Sequence, residues 1–391
     1  MPDMELKTLD IFCEIIDNYG DIGVVYRVAK ELKKRFENRV KIRVFLNRND
    51  EFLKINSNAK DVGFQEIDGI FYITFDYLKK NMDSLGSSDV IIEAFGCTIP
   101  EEYMEVAYDN STLLINLEYL SAEDWIEDFH LQSSPLGKGK LKKIFFMPGF
   151  TEKSGGVIAD SGYMDTVEKV NKNREFYQKK YLDGIENVDN SIVGTIFSYE
   201  KNFEPLFRDL EKLDKDIVIL ALGEKTQESM KNFFEKNCVE LFGNQAKYGK
   251  IKVVFYRFLN QEEYEELINT VDFNFVRGED SFIRAVLTGK PYLWHIYCQD
   301  EFAHMDKLNG FLDKYKRVVA DGSNDDFIEN MEKLFKDYNF RRENNLEMGN
   351  EDYNYFFNNL EKIGENNGVF RNFLIQKCNL INKLKYFIEK Y

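Results

Sequence analysis

The sequence has little of what staples or breaks a chain: five cysteines, six prolines and three histidines in 391 residues. Cys13, Cys97, Cys238, Cys298 and Cys378 are odd in number and form no CxxC pair, which excludes a disulfide scaffold and reads as reduced thiols. His130, His295 and His304 show neither HExxH nor HxH spacing, which argues against a histidine-built metal centre. No apolar run reaches the length of a membrane span, and residues 1–7 carry no basic stretch ahead of an apolar one. A cytoplasmic protein with no membrane partner is therefore expected. Positive charge is scarce as well: 52 Lys and Arg stand against 68 Asp and Glu, a net charge of −16. Such an acidic chain is a poor partner for a phosphate backbone, and nucleic acid is not expected.

What is present is apolar and aromatic, with 34 Phe and 22 Tyr, enough for large buried cores at a length that suits two domains. Short β-branched and aromatic runs alternate with longer amphipathic charged segments. The strand candidates are 9–16, 41–46, 70–75, 90–95, 113–117 and 143–147, then 192–197, 217–222, 252–256, 273–276 and 292–296. Helical periodicity over 22–36 follows the first run. This rhythm predicts parallel βαβ units. Two Rossmann-like α/β domains facing a central cleft are expected, over 1–155 and 191–369, with a linker at 156–190. A charged helix is expected over 165–181, a loop over 344–354, and a single amphipathic helix over 370–391, packing back on the first domain.

Two segments carry the densest chemistry. Asp17-Asn18-Tyr19-Gly20-Asp21-Ile22-Gly23 lies between the first strand and the first helix, where open α/β sheets bind ligands. Its two carboxylates suit a cation or a guanidinium, although an aspartate before a helix also serves as an N-cap. Arg277-Gly278-Glu279-Asp280-Ser281 again joins a buried strand to a helix. A glycine turn into a helix N-terminus suits a diphosphate, and Arg277 adds a charge fork. Glu279 and Asp280 would repel that diphosphate unless they face elsewhere; the alternative use of Asp280 or Ser281 is to cap the helix. Phe197 and Phe258 end strands of the second half, with Gln261 following, an arrangement that can sandwich a nucleobase; singly, each Phe reads as core. His295 and His304 lie near the second segment, where one could touch phosphate, but both read first as ordinary hydrogen-bonded histidines; Cys13 and Cys97 read as small core residues. Glu118 and Trp125 could line an acceptor site, and for Trp125 packing is the favoured use.

The sequence resembles the bacterial elongation factor P arginine rhamnosyltransferases (EarP). The resemblance lies in residues 10–23, Asn116-Leu117-Glu118-Tyr119-Leu120-Ser121-Ala122-Glu123, 148–151, 273–282, 289–291 and Trp294-His295-Ile296-Tyr297. These occur in matching order over about three quarters of the chain. The resemblance implies a GT-B glycosyltransferase that moves L-rhamnose, with inversion, from dTDP-β-L-rhamnose to an arginine of elongation factor P, with no metal or other cofactor. Asp17 and Asp21 then fall on the family's catalytic-loop aspartates and Glu279 on its catalytic glutamate. Phe197 and Phe258 fall on the thymine-stacking rings, with Gln261 beside the base. Arg277, Gly278, Asp280 and Ser281 fall in the donor loop, and Tyr199 is carried over with them. The chain departs from the family pattern at Tyr26, Asp124, Leu131, Asn260 and Cys298, all beside the motifs. Two other readings share this architecture: a GT-B enzyme for another sugar nucleotide or acceptor, and a non-enzymatic nucleotide-sugar-binding module.

Overall fold

The computed structural model describes residues 6–16, 18–37, 39–320, 325–340 and 350–391. The chain divides into two compact units, Met1–Gly162 with Leu374–Tyr391, and Tyr163–Phe373. Within the segment expected as a linker over 156–190, the charged helix expected over 165–181 is two helices, Ser161–Lys172 and Arg174–Leu182, parted at Asn173. Val170, Tyr177, Tyr181 and Leu182 from these helices pack against Val193, Val218 and Leu220 in the core of the second unit.

The first unit is built on β1 (Thr8–Cys13), β2 (Lys41–Leu46), β3 (Phe64–Ile67), β4 (Ile70–Thr74), β5 (Val90–Ala94), β6 (Leu113–Leu117), β7 (Ser133–Ser134) and β8 (Lys142–Phe146). Their order is β3-β4-β2-β1-β5-β6-β8-β7. The six inner strands are parallel, and β3 and β7 close the two edges antiparallel. Leu9, Ile11 and Cys13 face one side of the sheet. Helix Asn18–Arg35 covers that side with Ile22, Val25, Ala29 and Leu32, and helix Leu380–Lys390 with Ile381 and Leu384. Phe12, Phe45 and Ile91 face the other side, under Leu78 and Tyr103. Burial of such side chains is the main drive for this layering, at roughly 1.5–3 kcal/mol each.

The C-terminal region forms two helices, Leu360–Lys377 and Leu380–Lys390, not the single helix expected over 370–391. The break has a local cause. The Val157 N–H donates to the Cys378 carbonyl at 2.7 Å and the Leu380 N–H to the Val157 carbonyl at 2.8 Å, so a neighbouring strand-like segment takes the helix's bonds. Asn379 then caps the last helix by accepting from the Asn382 N–H. Gly156 (φ 85°) lies so close that an added Cβ would sit 2.3 Å from the Cys378 oxygen.

The second unit carries β9 (Ser191–Phe197), β10 (Asp216–Leu222), β11 (Leu241–Phe242), β12 (Gln245–Tyr248), β13 (Ile251–Phe255), β14 (Phe273–Arg277) and β15 (Tyr292–His295). Their order is β11-β12-β13-β10-β9-β14-β15, parallel except for β11 and β12. Each sheet has a point where strand order reverses: between β1 and β5 in the first unit, and between β9 and β14 in the second. Ligands of open α/β sheets bind at the carboxyl ends of strands at such points. Most of the expected loop over 344–354 falls outside the described residues. Among the described residues no helix is long and apolar enough to cross a membrane.

Candidate active site

In the first unit the helix opens at Asn18, before the expected start at 22, so Gly20 and Asp21 are helical and not a turn. Asp17 lies outside the described residues. Asp21 is only 2% exposed, inside the first turn. Its Oδ2 accepts the Ile16 N–H at 2.9 Å and its Oδ1 accepts the Tyr119 hydroxyl at 3.1 Å. The bond to Ile16 runs back to the chain ahead of the helix, so Asp21 is not the helix's cap residue. It ties the end of β1 to the loop after β6. Tyr119 in turn stacks on Phe95 with centroids 4.4 Å apart, just past β5. Phe95 holds a left-handed φ of 59°, rare for a bulky residue and of the kind concentrated at working sites. The ends of β1 and β6 thus meet on one carboxylate, and the end of β5 packs against the tyrosine that holds it. Glu118 is half-buried nearby, and Trp125, expected to be packed, is 47% exposed, with Phe129 set edge-on at 5.7 Å.

In the second unit Phe197, Tyr199 and Arg277 meet at the ends of β9 and β14. The Arg277 guanidinium lies 4.4 Å from the Phe197 ring centroid and 5.0 Å from that of Tyr199. Gly278 follows in the left-handed region at φ 66°, which favours glycine, and its carbonyl accepts the Trp294 indole N–H at 2.7 Å. Glu279 occupies the N-cap position of helix Asp280–Thr288, yet its side chain makes no cap bond. Its carboxylate pairs with Lys307 instead. Asp280 sits 3.9 Å from the buried Arg284, and the Ser281 hydroxyl donates to the Arg277 carbonyl. The loop's acids therefore carry their own counter-charges, which removes the repulsion its sequence suggested. A helix N-terminus then faces the loop with its positive dipole end.

Phe258 stands 60% exposed on the loop after β13. Gln261 opens helix Gln261–Thr270, and Asn260 forms a complete capping box with Glu263. The departure from the family pattern at Asn260 is thereby accounted for: the residue has a local structural use.

The histidines are structural by contact. His304 Nδ1 accepts the Gln299 N–H, and its other nitrogen lies 3.2 Å from the Asn339 carbonyl. His295 is buried, 2.6 Å from the Ser198 hydroxyl, and burial pushes its pKa well below the usual value. His130 Nδ1 accepts the Met147 N–H, and burial, with Lys383 nearby, lowers its pKa to about 4. Cys13 and Cys97 are buried, which raises both thiols, Cys97 to about 12. Among the described residues no group of three or more His, Cys, Asp or Glu side chains is placed to hold a metal ion.

Three contributors escaped the sequence reading: Tyr119, Lys307 and Trp294. Tyr119 and Trp294 lie inside strings already singled out. No local signal marks Lys307, which reaches Glu279 from a helix 28 residues later.

Two mainly parallel α/β units of this kind make the GT-B fold, the fold of one class of glycosyltransferases. Solved structures similar along nearly the whole chain share this fold. One, of EarP in arginine glycosylation of translation elongation factor EF-P, has a TM-score of 0.62 at 20% identity over 98% of this chain and 99% of that one. A glycosyltransferase from Rickettsia africae has a TM-score of 0.51 at 13% identity over 99% and 98%. The chain belongs to the EarP family: the model described as Elongation-Factor P (EF-P) rhamnosyltransferase EarP matches residues 9–389. The chain is similar to the protein-arginine rhamnosyltransferase of Pseudomonas putida, 33% identical over 80% of this chain and 83% of the relative. It is likewise similar to that of Shewanella oneidensis, 32% identical over 83% and 84%.

Proposed function

We propose that this protein is an inverting protein-arginine rhamnosyltransferase, moving L-rhamnose from dTDP-β-L-rhamnose to an arginine of elongation factor P, in the cytoplasm. The observation that carries the reading is the match, across four fifths of the chain, to relatives named protein-arginine rhamnosyltransferases. The site chemistry supports it. A guanidinium is a poor nucleophile, because its lone pairs are delocalised and its pKa lies above about 12. A carboxylate with a fixed direction offsets both defects: it orients one nitrogen and accepts its proton as the bond forms. Asp21 is such a carboxylate, and Asp17 is assigned to help seat the guanidinium.

In the transfer, the arginine nitrogen bonds to the sugar's anomeric carbon on the face opposite the leaving group. The bond from that carbon to the diphosphate oxygen breaks, and its electron pair leaves with dTDP. The guanidinium proton passes to Asp21. Phe197 and Phe258 are assigned to the thymine, with Gln261 at its edge. Tyr199, Arg277, Gly278, Asp280 and Ser281 are assigned to the rest of the donor, and Glu279 to the reacting sugar. The diphosphate's charge is met by Arg277 and the helix N-terminus, so no metal ion is required. Modified elongation factor P then serves translation at polyproline stretches.

The test is donor choice with product stereochemistry. The protein should transfer from dTDP-rhamnose and yield an α-linked rhamnosyl-arginine by NMR. Preferential use of a UDP-sugar, or a β-linked product, would contradict the reading.

A further inference from the structure

Glu279 and Lys307 form an ion pair between the donor loop and helix Ala303–Val319, and both side chains keep part of their exposure. Its placement is not accidental to the core. Phe311, one turn after Lys307, sets its edge against Phe282 at 4.9 Å and against Trp294 at 5.8 Å. Phe282, three residues after Glu279, lies flat on Trp294 with centroids 3.9 Å apart. Residues three and four apart share a helix face, so the same interhelical contact that buries Phe282 and Phe311 brings Glu279 and Lys307 together. Trp294 also fixes the intervening loop through the Gly278 carbonyl. A rigid aromatic stack thus sets the position of a charge pair at the mouth of a helix N-terminus.

That position matters because a nucleoside diphosphate brings negative charge to the same loop. Asp280 has its counter-charge in Arg284, from its own helix. For Glu279 the counter-charge comes from another element. We propose that Lys307 is a positioning residue of the donor site: it neutralises Glu279 towards the donor's diphosphate and fixes the direction of its carboxylate. This rests on the donor-site assignment above and adds to it a residue that acts through Glu279.

The test separates charge from structure by using two ligands, dTDP and thymidine, on the full chain by calorimetry. Lys307→Met should bind dTDP about tenfold more weakly, as expected when a like charge beside the phosphates loses the ammonium that faces it. Thymidine, which has no phosphate, should bind as to the unsubstituted protein. Lys307→Arg should restore dTDP binding. The decisive variant is Lys307→Met combined with Glu279→Gln, which removes both charges and should recover dTDP affinity to within about threefold. Undiminished dTDP binding by Lys307→Met, loss of both ligands together, or no recovery in the double variant would each overturn the proposal. An unsubstituted protein that binds neither ligand would be a different result, removing the donor-site assignment and Lys307's role with it.

Discussion

The Tyr119 hydroxyl donates to one oxygen of Asp21 while the Ile16 backbone N–H donates to the other, at 3.1 and 2.9 Å. The carboxylate is therefore aimed by two donors from different strand ends. If that aim serves proton acceptance, Asp21→Asn should abolish transfer and leave dTDP-rhamnose affinity within about twofold. Tyr119→Phe should lower kcat about tenfold while costing at most about 1.5 kcal/mol of stability. Steady-state kinetics beside thermal melting checks both. Normal turnover in Tyr119→Phe would mean that the bond has no part in catalysis.

Phe258 is well exposed, so its removal should cost the fold little and the donor much. Phe258→Ala should weaken dTDP binding by about 1–3 kcal/mol, the usual worth of an aromatic ring stacked on a base. Calorimetry with dTDP reads this directly, and an unchanged Kd would remove Phe258 from the site.

Gly278 holds a left-handed φ of 66°, while an added Cβ would meet only the Tyr199 hydroxyl at an ordinary 3.6 Å. Gly278→Ala should therefore cost about 1–2 kcal/mol through backbone strain and not through a clash. The cost should appear as a lower melting temperature together with weaker dTDP binding.

His130 gives a pH dependence with a definite sign. Its folded pKa is lowered to about 4 from an ordinary 6.5, so between those values the unfolded chain holds more protons. Stability should be full above pH 6.5, fall on acidification to pH 4, and lose nothing further from this group below that. His295, lowered in the same direction by burial, adds to the fall below pH 6.5. Each group contributes at most about 1.4 kcal/mol per pH unit. His130→Gln should narrow the gap between urea midpoints at pH 7 and pH 5. An unchanged gap would exclude His130 as a source.

The parallel strands were legible because each is a short, largely buried run of aliphatic and aromatic residues: 41–46 and 113–117 match β2 and β6 residue for residue. The strands missed are the antiparallel ones at the sheet edges, β3, β7, β11 and β12, short and largely part-exposed, without a continuous apolar signal. For β3 and β4 a signal did exist: Asp68-Gly69, both left-handed, is a hairpin turn. The site was legible where it lies at strand ends beside glycine, as at Arg277 and Gly278. The pairing of Glu279 with Lys307 and of Asp21 with Tyr119 was not, because both are contacts between elements distant in sequence. The helix start at Asn18, four residues before the expected 22–36, was missed because Gly20 reads as a turn; a glycine lowers helix stability without forbidding a helix.

Transfer should survive EDTA, since Arg277 and a helix N-terminus stand at the assigned diphosphate position. Loss of activity on chelation, restored by Mg²⁺ or Mn²⁺, would overturn the metal-free account.

Arginine rhamnosylation can be read from the intact mass of elongation factor P after incubation with this protein and dTDP-rhamnose, in EDTA, beside the Asp21→Asn variant. The expected result is a gain of one deoxyhexosyl unit, mapped by fragmentation to an arginine, and no gain with the variant. An unmodified elongation factor P, or a sugar on any residue other than arginine, would contradict it.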